Sequence, residues 1–232
     1  MKKIIFLLAI FALFFTFNWC TDQEKTEKAT EQNQESNNSP YYITKDFYNM
    51  ESSWSLHILS QYTSYQQTEE YSCWCAAVLW ALKYYWIDEY DEMTICSEIW
   101  TSVLTWTSPD WIISFINKIW LNIFTHAADD YFFSTPEDFE DYIIVKLDSW
   151  FVTLVDWLDW WWHWQAIIWL DTMWTEDLND DVLIMADPAD DTDHNKDWYY
   201  ITPLTRFFYM REEWSFTETK YKQPFISIFP KW

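Results

Sequence analysis

A chain of 232 residues with no glycine lacks the one residue that enters left-handed backbone space without a steric penalty. Helix ends and tight turns rely on that space, so bulkier residues must be forced into it or such turns avoided. The residue in excess is tryptophan, of which there are 20. Trp86, Trp120 and Trp150 each follow a helix-like run, where a left-handed cap normally takes glycine. Trp106 and Trp111 flank the turn-like Thr107-Ser108-Pro109-Asp110, and Trp157, Trp160, Trp161 and Trp162 punctuate a stretch around Asp159. On this pattern tryptophan stands in glycine's place in an otherwise ordinary sequence. The alternative is an authentically tryptophan-rich protein.

Half of the residues are apolar, enough for one core of ordinary size. Fourteen basic against 37 acidic residues give a net charge of −23, which argues against a nucleic-acid partner, since phosphates need Lys and Arg. At the N-terminus, Lys2 and Lys3 precede an unbroken apolar run from Ile4 to Phe15. That run is too short to cross a bilayer as a helix but suits an export signal. It leads to Phe17-Asn18-Trp19-Cys20, which with glycine at 19 is similar to the lipobox of bacterial lipoproteins. Cys20 is then the lipidated residue, residues 1–20 are the signal, and the exported protein is held at the membrane by its lipid. Plain secretion is the alternative. Residues 21–40 are polar and cannot bury enough apolar area to offset ordering entropy, so they read as a flexible tether. The folded domain is expected over 41–232.

Within it, Cys73 to Tyr85 has a helical repeat through Ala76, Ala77, Leu79 and Leu82. A second helix starts at Ser108 and Pro109, and a third at Ser134-Thr135-Pro136, with acids in its first turn. After Trp150 come short apolar runs bounded by turn residues, at 151–155, 165–170, 181–185, 199–202 and 225–229, which read as strands. Helices first and a mostly antiparallel sheet afterwards make an α+β order.

Four residues stand in an order that carries chemistry. Gln67 precedes Cys73, and Cys73 opens the first helix. His163 begins a strand, in Trp161-Trp162-His163-Trp164-Gln165-Ala166-Ile167-Ile168, and Asp187-Pro188 closes the next, after Val182 to Ala186. A Cys at a helix N-terminus feels the positive end of the macrodipole, which favours the nucleophilic thiolate. An imidazole lowers its pKa further and protonates a leaving amine, and a carboxylate fixes the imidazole's tautomer. A Gln amide upstream can help to stabilise an oxyanion.

With glycine read for tryptophan, the segments become Q-x5-C-G-x-A-A and G-G-H-W-x-x-x-I-G, followed by Asp187-Pro188. These resemble the papain-like cysteine peptidases that process bacteriocin leaders after a double glycine, and their stand-alone relatives, over about 55 to 230. The resemblance implies a papain-like α+β fold, no cofactor, and a peptide or protein substrate. It also implies Cys73 as nucleophile, His163 as general base and acid, Asp187 as the group orienting His163, and Gln67 as oxyanion donor. Two positions depart from the family, which has Asp before the Cys and Pro two after it, where this chain has Ser72 and Cys75.

Other readings stay open. Cys75 is either a second candidate thiol or, in an exported protein, half of a disulfide with Cys96. Asp191, Asp193 and Asn195 alternate like calcium ligands, but Lys196 and Thr202 break the EF-hand template. His57, His126 and His194 fit no pattern and read as surface residues. If every tryptophan is authentic, Trp157 to Trp164 suggest an aromatic platform, and the chain a non-catalytic glycan- or peptide-binding lipoprotein. Strain of about 1–3 kcal/mol at each forced site, against a total stability of about 5–15 kcal/mol, implies that the chain as written folds poorly. Trp74 is then expected to crowd the cleft beside Cys73.

Overall fold

A computed structural model describes residues 47–102, 107–119, 121–125, 133–159, 161–190, 197–213 and 224–231. The export signal, Cys20, the tether, Trp106, Trp120, His126, His194 and the proposed calcium ligands lie outside these. The fold is α+β. After a short 3-10 turn at Phe47–Asn49 come β1 (Leu56–Ile58), α1 (Cys73–Tyr84), α2 (Glu92–Glu98), α3 (Pro109–Lys118), β2 (Leu121–Thr125) and α4 (Pro136–Asp148). Then follow β3 (Val152–Asp159), β4 (Trp161–Asp171), β5 (Val182–Ala186), β6 (Tyr199–Pro203), α5 (Leu204–Glu213) and β7 (Phe225–Pro230). The strands form one antiparallel sheet in the order β2-β7-β3-β4-β5-β6, with β1 added to β4.

Local chemistry accounts for most boundaries. Ser108 accepts from Asp110 N and Pro109 opens α3; Thr135 accepts from Asp138 N and Pro136 opens α4. The cap of α4 is therefore Thr135, one residue after Ser134. The sequence reading passed over α2, α5, β1 and β2, each short or lacking a proline-marked start. The stretch around Asp159, read as a loop, is instead a tight hairpin: β3 and β4 remain paired out to Asp159 opposite Trp161.

Residues Cys73 to Leu82 of α1 are all buried, so this helix is apolar around its whole circumference rather than on one stripe. Ala76, Ala77 and Ala81 let neighbouring elements approach its axis closely, and it packs against β3 and β4. A disulfide from Cys75 to Cys96 joins α1 to α2. By chain entropy a loop of this length is worth roughly 3 kcal/mol. The bond resolves the open choice at Cys75, which is not a free thiol.

Three helices end in the same way. After α1, Trp86 N donates to Lys83 O and Ile87 N to Leu82 O; after α2, Trp100 N donates to Ser97 O and Thr101 N to Cys96 O. After α4, Trp150 N donates to Leu147 O and Phe151 N to Lys146 O. Each is a Schellman closure, which needs a left-handed residue at its centre. Those residues are Trp86, Trp100 and Trp150, with φ of 58°, 64° and 60°. Trp174 and Trp198 are left-handed as well, so tryptophan holds five of the eight positive-φ positions among the described residues. Trp111 differs. It lies inside the first turn of α3 and donates to Ser108 O.

Two consequences are measurable. A Cβ-bearing residue in the left-handed region costs about 1–2 kcal/mol, of which glycine's extra freedom in the unfolded chain takes back part. Trp86→Gly and Trp150→Gly, whose indoles are exposed, are each expected to raise Tm by roughly 1–4 °C. Trp111→Gly, within a helix, is expected to lower it; thermal unfolding of the three variants checks the contrast. Secondly, burial holds the Glu140 carboxyl of α4 up at about 7, helped by the Asp181 carboxylate that is hydrogen-bonded to it. A carboxyl raised in the folded state contributes stability below its ordinary pKa of 4.5 and loses that contribution as pH rises through 7. Glu140→Gln should therefore flatten the fall in unfolding free energy over this interval, as read by urea titrations.

Candidate active site

Cys73 is the first residue of α1 and, among the described residues, the cysteine left outside the disulfide. It is 7% exposed, covered by the packing that buries the rest of the helix. Ser72, at the N-cap position, makes no side-chain bond to the first-turn amides. Its hydroxyl lies 2.5 Å from Glu92 Oε1 and 2.8 Å from Glu69 O, and accepts from Glu69 N at 3.0 Å. The positive end of the helix therefore keeps its first N–H groups uncapped by Ser72, at the residue that carries the sulfur.

His163 approaches from β4, paired across the hairpin with Trp157 of β3. Its Nε2 lies 2.5 Å from Asp187 Oδ1, and its side chain is 16% exposed. With Nε2 committed to Asp187, Nδ1 is the ring nitrogen left for Cys73, which is close enough to raise the pKa of the imidazole. Burial, the largest single influence, pulls the His163 pKa down. The bond to the Asp187 carboxylate and the proximity of Cys73 outweigh it and lift the value to about 10.

Asp187 follows β5 and is buried to 1% side-chain exposure. Its Oδ1 also accepts from Ala189 N at 3.0 Å, and its own N–H donates to Trp198 O at 2.9 Å. Trp198 N in turn donates to Asp190 Oδ1, so the turn that presents the carboxylate is cross-braced. Asp187 and His163 are thus bonded to each other from two separate elements, and Cys73, at the start of α1, lies near the imidazole.

Gln67 joins this group by its backbone, its N–H donating to Pro188 O at 2.9 Å. Its side chain is engaged within its own loop. Nε2 donates to Glu69 O at 2.7 Å and Glu70 O at 3.1 Å, while Oε1 is buried and accepts nothing. Exchanging the amide's oxygen and nitrogen would set an oxygen against two carbonyls, so the surroundings demand this orientation. Both amide hydrogens are thereby committed to bracing the loop before Cys73.

Trp74 packs into the interior and donates from Nε1 to Thr101 Oγ1 at 3.1 Å. Trp164 is buried too, which removes it from any exposed aromatic platform; the side chains of Trp157, Trp161 and Trp162 lie outside the described set. His57 is bonded to Asp148 at 2.7 Å, its side chain 15% exposed, rather than freely solvated. Sequence reasoning did not mark Glu92. It sits in an acidic stretch, Asp88 to Glu92, where nothing local distinguishes a buried carboxylate from a solvated one.

No family model matches the chain, and no curated protein matches it. Among solved structures, it is similar to the peptidase domain of Streptococcus ComA, a bi-functional ABC transporter involved in a quorum-sensing pathway. The similarity has 15% identity and a TM-score of 0.48, and covers 73% of this chain and 99% of that one.

The His163–Asp187 bond sets a titration. His163 is expected to hold its proton through neutrality and release it near pH 10, and Asp187→Asn to bring that release down towards 6.5. A histidine raised in the folded state contributes its stability in full below pH 6.5 and loses it as pH rises through 10. Imidazole NMR across this range, in the parent chain and in Asp187→Asn, reads both statements.

Proposed function

We propose that this chain is a thiol peptidase of papain-like fold, exported and held at the cell envelope by a lipid on Cys20. The observation that carries the reading is the bonded pair His163–Asp187 beside Cys73, whose sulfur sits at a helix N-terminus. An imidazolium and a helix N-terminus are the surroundings a nucleophilic thiolate requires.

In this reading the Cys73 sulfur attacks a peptide carbonyl and an oxyanion forms. His163 passes the Nδ1 proton to the departing amine as the C–N bond breaks, leaving a thioester on Cys73. Water then attacks the thioester while His163 takes its proton, and release of the acid restores the thiol pair. Asp187 keeps the ring oriented through Nε2 throughout. The first-turn N–H groups of α1 face the oxyanion, and Gln67 joins them by exchanging its longer bond, the one to Glu70 O, for the substrate oxygen. The Cys75–Cys96 disulfide supports export, since such bonds persist in oxidising compartments.

The three Schellman closures support a further part of this reading, that the natural polypeptide carries glycine where tryptophan is written. Intact-mass and peptide-mass measurement on protein from its native source decides this directly. Each replaced position lowers the mass by the difference between an indole-bearing side chain and a hydrogen atom.

Cys73→Ala is expected to abolish both peptide hydrolysis and labelling by a thiol-directed inhibitor. His163→Ala should reduce hydrolysis by about 10²–10⁴-fold, the usual worth of general acid–base catalysis. Turnover against a peptide library, with the labelled residue located by mass spectrometry, is the check. Undiminished hydrolysis in Cys73→Ala defeats the proposal.

A further inference from the structure

Glu92 stands at the start of α2, only 5% exposed. Its carboxylate accepts three hydrogen bonds from the loop that precedes Cys73. Oε1 takes Thr68 N at 2.7 Å and Ser72 Oγ at 2.5 Å, and Oε2 takes Thr68 Oγ1 at 2.9 Å. Bonds to an ionised acceptor are the strong ones, and a buried carboxylate is retained only where its oxygens are satisfied in this way.

The two loop residues it holds have telling neighbours. Ser72 immediately precedes Cys73, and Thr68 immediately follows Gln67, whose N–H is bonded to the carbonyl of Pro188, next to Asp187. One carboxylate therefore sets the distance between the two ends of the segment that links Gln67 to the sulfur. Its own position is fixed covalently. Glu92 and Cys96 are four residues apart on α2, on one helix face, and Cys96 is joined to Cys75 in the first turn of α1. The face that delivers the carboxylate to the loop is thus the face bonded to the nucleophile's helix.

We propose that Glu92 is a positioning residue of the thiol site, acting through Thr68 and Ser72 on the placement of Gln67 and Cys73. This rests on the peptidase reading for its kinetic consequence but not for its geometry. The three bonds need one oxygen that accepts twice and one further atom that pairs with Thr68 Oγ1, a pattern a glutamine amide can reproduce. Its Oε1 accepts from Thr68 N and Ser72, and its Nε2 donates to Thr68 Oγ1.

The test compares Glu92→Ala with Glu92→Gln in the full chain, using kcat and KM on a cleaved peptide and the rate of Cys73 alkylation by iodoacetamide. Glu92→Ala is expected to lower kcat by at least about tenfold with KM little changed, because small displacements of reacting groups are expensive. Its alkylation rate should fall too, while Glu92→Gln stays within about threefold of the parent in both. A pure charge effect predicts the opposite for the thiol. Removing a nearby anion would raise its reactivity alike in Ala and Gln. Equal behaviour of the two variants, or an unchanged Glu92→Ala, overturns the proposal. If Glu92→Ala does not fold, Thr68→Val removes the bond to Oε2 alone, and Ser72→Ala removes the bond to Oε1 together with those to Glu69; no change in either overturns it equally. Should the parent chain cleave no peptide, the peptidase reading fails, and the alkylation contrast still decides the role of Glu92.

Discussion

A helix buried along nearly its whole length is the constraint on which the rest of this molecule depends. Nothing about α1 can slide or rotate without opening the core against β3 and β4, so its first residue is held as firmly as its middle. That first residue is Cys73. The helix supplies a fixed sulfur and the sheet a fixed imidazole, and the cross-braced turn after β5 adds a carboxylate that is bonded to His163. Rigid elements carry the reacting groups, while the adjustable part of the site is confined to the loop from Gln67 to Ser72.

That loop is where the chain departs most from a simple triad. Several of its polar groups bond to one another and to Glu92, which arrives from a different helix. Ser72 illustrates the arrangement. A serine at an N-cap position normally bonds to its own helix, yet here it turns to Glu92 and leaves the helix amides uncovered. A carboxylate beside the N-terminus of α1 also complements the helix dipole, so the same group that braces the loop favours the helix it precedes.

The places of Cys73 and Asp187 were legible because both sit at boundaries between elements, a helix start and a strand end followed by proline; His163, expected to begin a strand, instead lies within β4, which starts at Trp161. The caps of α3 and α4 were legible for the same reason, Ser108-Pro109 and Thr135-Pro136 being chemical statements about one turn. What escaped was non-local. The loop carbonyls of Glu69 and Glu70 claim the amide of Gln67, which spacing from Cys73 does not reveal. The pairing of Cys75 with Cys96 stayed open because it depends on where α2 packs, and α2 itself was missed. Its seven residues are too few to display a repeat, and Asp91, which caps it by accepting from Thr94 N, is one acid among several. Glycine's absence was informative in the other direction: Trp86 and Trp150 were recognisable as helix-end positions from neighbouring periodicity alone, and both are left-handed.

The disulfide and the free thiol sit only two residues apart on one helix, a combination that invites scrambling, since a thiolate attacks any disulfide sulfur it can reach in line. At 3.6 residues per turn, positions two apart point about 200° away from each other around the axis. Cys73 accordingly faces His163 while Cys75 is directed to Cys96, and the body of the helix lies between nucleophile and crosslink. A single-residue shift of either cysteine would narrow that angle and bring the thiol nearer to a disulfide it can attack.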